Sequence, residues 1–283
     1  MKVIVIAGPT GVGKTRIAYQ LAKEIDGEII NADSTQVYVG MEIATAKEIS
    51  FDIPHHLFNI CQWDEEYNAY QYQQDCRKKI SEIIERGKTP ILVGGTGLYI
   101  KAALYDYQFG VENEDFANLS NQEILNEIKK YDLNTKIDVN NRQRLVSNLK
   151  HFLQEKKDDK DKLLYDACLI GLTMHREKLY EQINQRVDLM VEQGLLDEAK
   201  KIYDSNIRTK AVLTPIGYPE LFAYFAGEIN LEEAVWQIKK RSRNYAKRQF
   251  TWFKNQMDLN WFEVDENVFF KILNYLAENS DKS

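Results

Sequence analysis

The sequence predicts an α/β fold, a parallel sheet flanked by helices, with an all-helical insertion domain. Three observations predict it. First, residues 3–6 are an unbroken β-branched run, which reads as a parallel strand buried on both faces. Gly8-Pro9-Thr10-Gly11-Val12-Gly13-Lys14-Thr15 follows at once and fits G-x-x-x-x-G-K-S/T at every fixed position. A helical pattern comes next, with Ile17, Leu21 and Ile25 four residues apart. Second, strand and helix patterns alternate as far as Tyr99. Third, the composition changes near Gly110 to acidic and charge-mixed helical stretches. Strand, glycine loop and helix in that order make the sheet P-loop NTPase-like. The expected division is 1–110 for the first part of the core, 111–162 for the insertion, and 163–283 for completion of the core and the C-terminal helices.

Taken in order, residues 27–33 read as a second strand ending at Asp33, and 34–46 as an irregular polar stretch. Pro54-His55-His56-Leu57 reads as a loop, 64–86 as a long helix, and 89–93 as a strand running into Gly94-Gly95-Thr96-Gly97. Ser120 with Glu123 forms a capping box before a helix to about Tyr131. Residues 138–157 read as a second helix with Leu145, Val146, Leu149, Phe152 and Leu153 on one face, and 154–162 as a solvated loop. Cys168 to Leu172 returns to the sheet, and the remainder reads as helical. Leu179, Ile183, Val187 and Met190 form a stripe that ends at Gly194, and Asn230 with Glu233 caps a long helix over about 231–255. In parallel sheets ligands sit beyond the carboxyl ends of the strands, where the glycine loop, Asp33 and Gly94-Gly95-Thr96 all fall.

The glycine loop is built for a di- or triphosphate. Glycines let successive N–H groups turn inward, the helix N-terminus adds its orphan donors, Lys14 supplies charge, and the Thr15 hydroxyl suits Mg²⁺. Asp33 is placed to act as a Mg²⁺ partner or as a general base. Gln36 beside it can pair two-point with an adenine edge. His55 and His56 have no matching ligand set, so a hydrogen-bonding role is expected for them rather than a metal. The formal net charge is −6, so nucleic-acid contact must come from local clusters. Residues 234–257 contain no acid. At 100° per residue Lys240, Arg243, Lys247 and Lys254 fall opposite Val235, Ile238, Tyr245, Trp252 and Phe253, with Arg241 and Arg248 flanking. That helix, and Arg142-Gln143-Arg144 in the insertion, are the candidate phosphate-backbone contacts. Three separated cysteines fit a reducing compartment. With no leader expected ahead of the first strand and no apolar run long enough to span a bilayer, a cytoplasmic protein is expected, with no obligate protein partner evident.

At these residues the chain resembles the tRNA dimethylallyltransferase (tRNA isopentenyltransferase) family over nearly its whole length. The runs that carry the resemblance, in order, are the glycine loop, Ala32-Asp-Ser-Thr-Gln-Val-Tyr38, Gly40, Thr45-Ala-Lys47, Pro54-His-His-Leu57 and Val93-Gly-Gly-Thr-Gly-Leu-Tyr99. Arg142-Gln-Arg144, Ile170-Gly-Leu172, Arg186-Val-Asp188, Gly194-Leu-Leu-Asp-Glu198, Ile216-Gly-Tyr218, Tyr245-Ala-Lys-Arg-Gln249 and Thr251-Trp-Phe253 follow. The resemblance implies transfer of a dimethylallyl group from dimethylallyl diphosphate to the exocyclic amine of the adenine just 3′ of the anticodon, by a monomeric enzyme using Mg²⁺. It implies that the loop from Gly8 to Thr15 holds the diphosphate, that Asp33 accepts the amine proton, and that Ser34, Thr35, Gln36 and Thr96 meet the RNA. The anticodon stem-loop would be gripped by the insertion, through Arg142, Gln143 and Arg144, and by the basic helix, through Lys247 and Arg248.

The chain departs from the family pattern at a few places. Asn31 and Thr35 replace a Ser and a Met, and Ala44 replaces a Gly. Thr214-Pro215 stands where an arginine assisting the diphosphate is expected, which leaves Arg208 as the candidate. No C-terminal zinc finger is expected in this short bacterial form. The alternatives are a P-loop kinase of a nucleotide or small metabolite, and an isopentenyltransferase acting on free adenine nucleotides.

Overall fold

The structure is a computed structural model and describes residues 2–49, 52–109, 116–133, 135–153 and 162–280. Strand β1 (Val3–Ala7) is buried at all five positions, as its β-branched run requires. It delivers the chain through the glycine loop into α1 (Lys14–Glu24), which buries Ile17, Ala18, Leu21 and Ala22 against the sheet. After β2 (Gly27–Asn31) the chain runs through turns to β3 (His55–His56). Helix α2 (Ala69–Glu85) leads to β4 (Thr89–Gly94) and α3 (Gly97–Leu104). Helices α4 (Asn121–Lys129) and α5 (Arg142–Leu153) follow, then β5 (Ala167–Thr173). The remainder is α6 (Arg176–Glu192), α7 (Leu195–Asp204), α8 (Lys210–Leu213), α9 (Tyr218–Phe225), α10 (Leu231–Gln256), β6 (Asn260–Glu263) and α11 (Val268–Ser280).

All six strands pair in parallel, in the order β3-β2-β4-β1-β5-β6. The connection from β1 runs to β2 on one side and that from its neighbour β4 runs to β5 on the other, so the crevice at the carboxyl ends of β1 and β4 is the switch point of the sheet, where such folds bind ligands. The chain divides into two compact units, Met1–Leu104 with Leu163–Ser283, and Tyr105–Lys162. The smaller unit has its own core of Phe116, Ile124, Ile128, Leu145 and Leu149.

Several elements begin or end elsewhere than the sequence predicts. His55 and His56 form a short edge strand beside Ile29 and Ile30, where a loop was expected. Two residues are too few to show a period. β6 pairs with Ile170–Thr173 in a stretch expected to be helical. α2 starts at Ala69 rather than near Asp64, because Asn68 and Gln71 form a capping box worth about 1 kcal/mol. α5 starts at Arg142, since Asp138 is spent on a turn that closes at Asn141. Of the expected extension of this helix and the loop after it, residues 154–161 lie outside the described residues, as do 110–115 of the acidic stretch. The Ser120–Glu123 capping box and the α6 stripe of Leu179, Ile183, Val187 and Met190 form as the sequence predicts.

Candidate active site

The site is assembled at the carboxyl end of β1. Gly13 caps α1 with φ of 94° and no side-chain cap, a left-handed conformation that glycine adopts without strain. The first amides of α1 are thereby left for a ligand. Lys14 folds back so that Nζ donates to the Pro9 carbonyl at 2.9 Å. Desolvation pushes its pKa down to about 8; the nearby Asp33 works against that and the Arg186 guanidinium adds to it. Arg186, on α6, donates to Thr10 Oγ1 at 3.1 Å. Desolvation lowers its pKa too, against the opposing pull of Glu48 and Asp33. Two cations held largely out of water around a glycine loop form a receptor for a polyanion.

Asp33 stands just past β2, and its place is fixed by Asn31. Asn31 Oδ1 accepts from Asp33 N at 2.8 Å, while Nδ2 donates to the Asp33 and Leu57 carbonyls, both at 3.0 Å. Asp33 Oδ1 accepts from Thr35 N at 3.0 Å and from Thr35 Oγ1 at 2.7 Å. Asn31 and Thr35, two of the departures from the family pattern, therefore both serve to orient this carboxylate. Thr96 Oγ1 accepts from Ser34 N at 3.0 Å and joins the two loops at the sheet's edge. Gln36 donates Nε2 to the Thr45 carbonyl at 2.9 Å, so this amide group braces the loop after β2.

One buried residue of α10 closes the arrangement. Gln249 Oε1 accepts from Thr10 N at 2.8 Å and its Nε2 donates to the Gly95 carbonyl at 2.9 Å. A Cβ on Gly95 would lie 2.1 Å from that nitrogen, which is why this loop position has none. Two cavities meet at this point. One, of about 290 Å³, is lined by Gly11, Gly13, Lys14, Thr15, Gln36 and His55. The other, of about 210 Å³, is lined by Ser34, Thr35, Tyr245 and Arg248 and by apolar Ile183, Val187, Met190, Ile216 and Ile238. Thr10, Asp33, Thr45 and Arg186 line both.

The structure reassigns several sequence candidates. Arg208 is stacked on Tyr203 and Phe222 and bonded to the Ile207 and Tyr203 carbonyls, and it lines neither cavity, whereas Arg186 lines both. Arg142 donates to the carbonyls of Leu119 (2.8 Å) and Phe116 (2.6 Å) and to Asn121 Oδ1 (3.0 Å), tying the smaller unit together. Arg144 is exposed, and the Gln143 side chain lies outside the described residues. His55 bonds the Ile53 carbonyl and His56 bonds Glu28 at 2.6 Å. On α10, Arg241 pairs with Glu220 and Lys239 with Asp188, and Arg243 bonds Asn184. Lys247, Arg248 and Lys254 stay exposed, and the first two line an open groove with Trp252. Arg186 and Gln249 were missed as site residues, although both lie within runs that carry the family resemblance. The sequence does hold a signal for Arg186, a cation one turn from Ile183 on a stripe of otherwise apolar residues.

The comparisons with known proteins point to one family. The IPP transferase family model matches residues 36–256 and the isopentenyl transferase model residues 1–52. The tRNA dimethylallyltransferase of Anoxybacillus flavithermus is 44% identical over 298 residues, covering 97% of this chain and 96% of its own. That of Bacillus subtilis is 45% identical over 288 residues, covering 94% and 92%. Among solved structures, a tRNA delta(2)-isopentenylpyrophosphate transferase from Staphylococcus epidermidis is 36% identical, with a TM-score of 0.76 over 99% of both chains. A eukaryotic dimethylallyltransferase acting on tRNA is 30% identical, with a TM-score of 0.81 over 98% of this chain and 78% of that one. The chain belongs to the tRNA dimethylallyltransferase family.

Proposed function

We propose that the glycine loop holds the diphosphate of dimethylallyl diphosphate and that the exocyclic amine of the adenine 3′ of the anticodon attacks its C1 beside Asp33. A bond forms from the amine nitrogen to C1 while the C1–O bond breaks. Diphosphate departs with the bonding pair, and Asp33 takes the proton the amine loses. Charge that builds on the leaving diphosphate meets Lys14, Arg186 and the amides at the start of α1. The observation that carries this reading is the position of Asp33, where the cationic cavity and the partly apolar one meet. The base must leave the anticodon-loop stack at a cost of about a few kcal/mol. The exposed Lys247 and Arg248 are the described cations on α10 suited to the RNA backbone. No helix among the described residues is long and apolar enough to cross a membrane.

Mg²⁺ fits this donor set. The Thr15 hydroxyl lines the cavity, and Mg²⁺ at phosphate sites takes few protein ligands and completes its shell with phosphate oxygens and water. Thr15 would hold it, and it would neutralise charge on the leaving diphosphate. The experiment is a paired assay with unmodified tRNA, Mg²⁺ and either labelled dimethylallyl diphosphate or labelled ATP, with mass analysis of the anticodon loop. One dimethylallyl group on that adenine is the expected result. Phosphate passing from ATP to a small acceptor, with unlabelled RNA, would overturn the reading.

Lys14 gives the diphosphate site a pH dependence. Its pKa in the folded protein, about 8, is below its ordinary value, so the free site loses this charge as pH rises past 8. A bound anion favours the charged form, so binding takes up a proton. Affinity for inorganic diphosphate should therefore decline as pH rises above about 8, read by calorimetry in two buffers of different ionisation enthalpy. The same shift works the other way on stability. Below pH 8 the cost of the buried charge is fully present, and it is relieved as pH rises from there towards the ordinary lysine value.

A further inference from the structure

The loop after β2 reaches both cavities, through Ala44 and Thr45 in one and Thr45 and Ala46 in the other. It consists mostly of turns, with a single bridge from Tyr38 to Cys61 holding its first half. Its anchor is Glu198, in the first turn of α7. Glu198 Oε2 accepts from the backbone N–H of Glu42 at 2.9 Å and of Ile43 at 2.8 Å. Glu198 Oε1 accepts from Ala44 N at 2.9 Å and from the Tyr218 hydroxyl at 2.8 Å. Three successive amides turned onto one point form an anion-binding nest, and here the anion is the protein's own. Charge-assisted bonds of this kind are about twice as strong as neutral ones. Gln36 and the Thr45 hydroxyl tie the loop to its own base, and buried Val37 and Met41 share a core with Leu195, Ala199 and Ile202 of α7, but among the described residues Glu198 is what bonds the backbone of 42–44 to α7. Through Gly194, α7 continues α6, which carries Arg186.

We propose that Glu198 is a positioning residue for transfer. It sets the wall formed by residues 44–46 at a fixed distance from Arg186 and Asp33, so that the two cavities meet in one reactive geometry. The inference rests on reading those cavities as donor and acceptor sites. A misplacement of about 1 Å at such a junction costs about 10²-fold in rate.

The test is Glu198→Gln, which keeps the size of the side chain but turns one acceptor into a donor. Whichever way the amide faces, its NH₂ meets a backbone N–H that needs an acceptor. The expected result is a fall in kcat of about 10²-fold with KM for dimethylallyl diphosphate little changed, since the glycine loop and Lys14 are untouched. Hydrogen exchange at residues 42–44 should quicken. Tyr218→Phe removes one donor, leaves the three amides bound, and should keep kcat near that of the parent. Wild-type kcat and KM in Glu198→Gln, or a loss of rate matching only the fraction unfolded in a thermal melt, would overturn the proposal. Parent enzyme on the same RNA separates the failures. No transfer by the parent sinks the donor–acceptor reading, whereas a fully active variant with faster exchange at 42–44 sinks the positioning role alone.

Discussion

Asp33→Asn is expected to slow transfer by about 10²–10⁴-fold while both substrates still bind. The asparagine keeps an oxygen where Asp33 Oδ1 now accepts from the Thr35 amide and hydroxyl, so the local turn and the Asn31 bracket should survive. What it removes is the negative charge and the proton acceptor. Single-turnover transfer with saturating donor reads the chemical step, and filter binding of unmodified tRNA reads the ground state. A slow step with parental RNA affinity assigns Asp33 to the chemistry. Weakened RNA binding with a normal single-turnover rate would make it an RNA contact instead.

Arg186→Ala has the second largest expected effect, and its sign on stability differs from its sign on activity. Without substrate this guanidinium is desolvated, with the neutral Thr10 hydroxyl as a hydrogen-bond partner. Removing it should leave the melting temperature unchanged or raised, as when a cation poised for an absent ligand is deleted. Transfer should fall by about 10²–10³-fold, because a donor aimed at the developing diphosphate charge is gone. Affinity for inorganic diphosphate should fall in parallel. Arg186→Lys restores charge without the planar fork and should recover only part of the rate. A variant that both melts early and binds diphosphate normally would place Arg186 in the scaffold.

The features legible in the sequence are those encoded within one short run. The glycine loop, the strand-end Asp33 and the Gly94–Thr96 turn each carry their geometry in adjacent residues. Their convergence at one edge follows from the βα alternation alone. Arg186, Gln249 and Glu198 reach the same edge from helices far along the chain. Only Arg186 carries a local signal, its place on the stripe of Leu179, Ile183, Val187 and Met190, and nothing near Gln249 or Glu198 in sequence says which way they face. Arg142 reads in sequence as a candidate phosphate-backbone contact. Its guanidinium in fact turns back to carbonyls of the chain preceding α5. β3 and β6 are too short or too mixed to show a period of two, and only their neighbours in the sheet define them.

The bond between Thr10 and Gln249 spans 239 residues. During synthesis the glycine loop is made 239 residues ahead of its brace. The first strands and the insertion can be out of the ribosome well before α10 exists. For most of that time the nascent chain carries Lys14 without the residue that sets the loop's shape, and Arg186 joins it only late. Closing so long a loop is a slow, late event in folding. A half-made enzyme thus has the parts to attract a polyphosphate before it has the geometry to use one, and competence for transfer arrives only once the helix bearing Gln249 has docked.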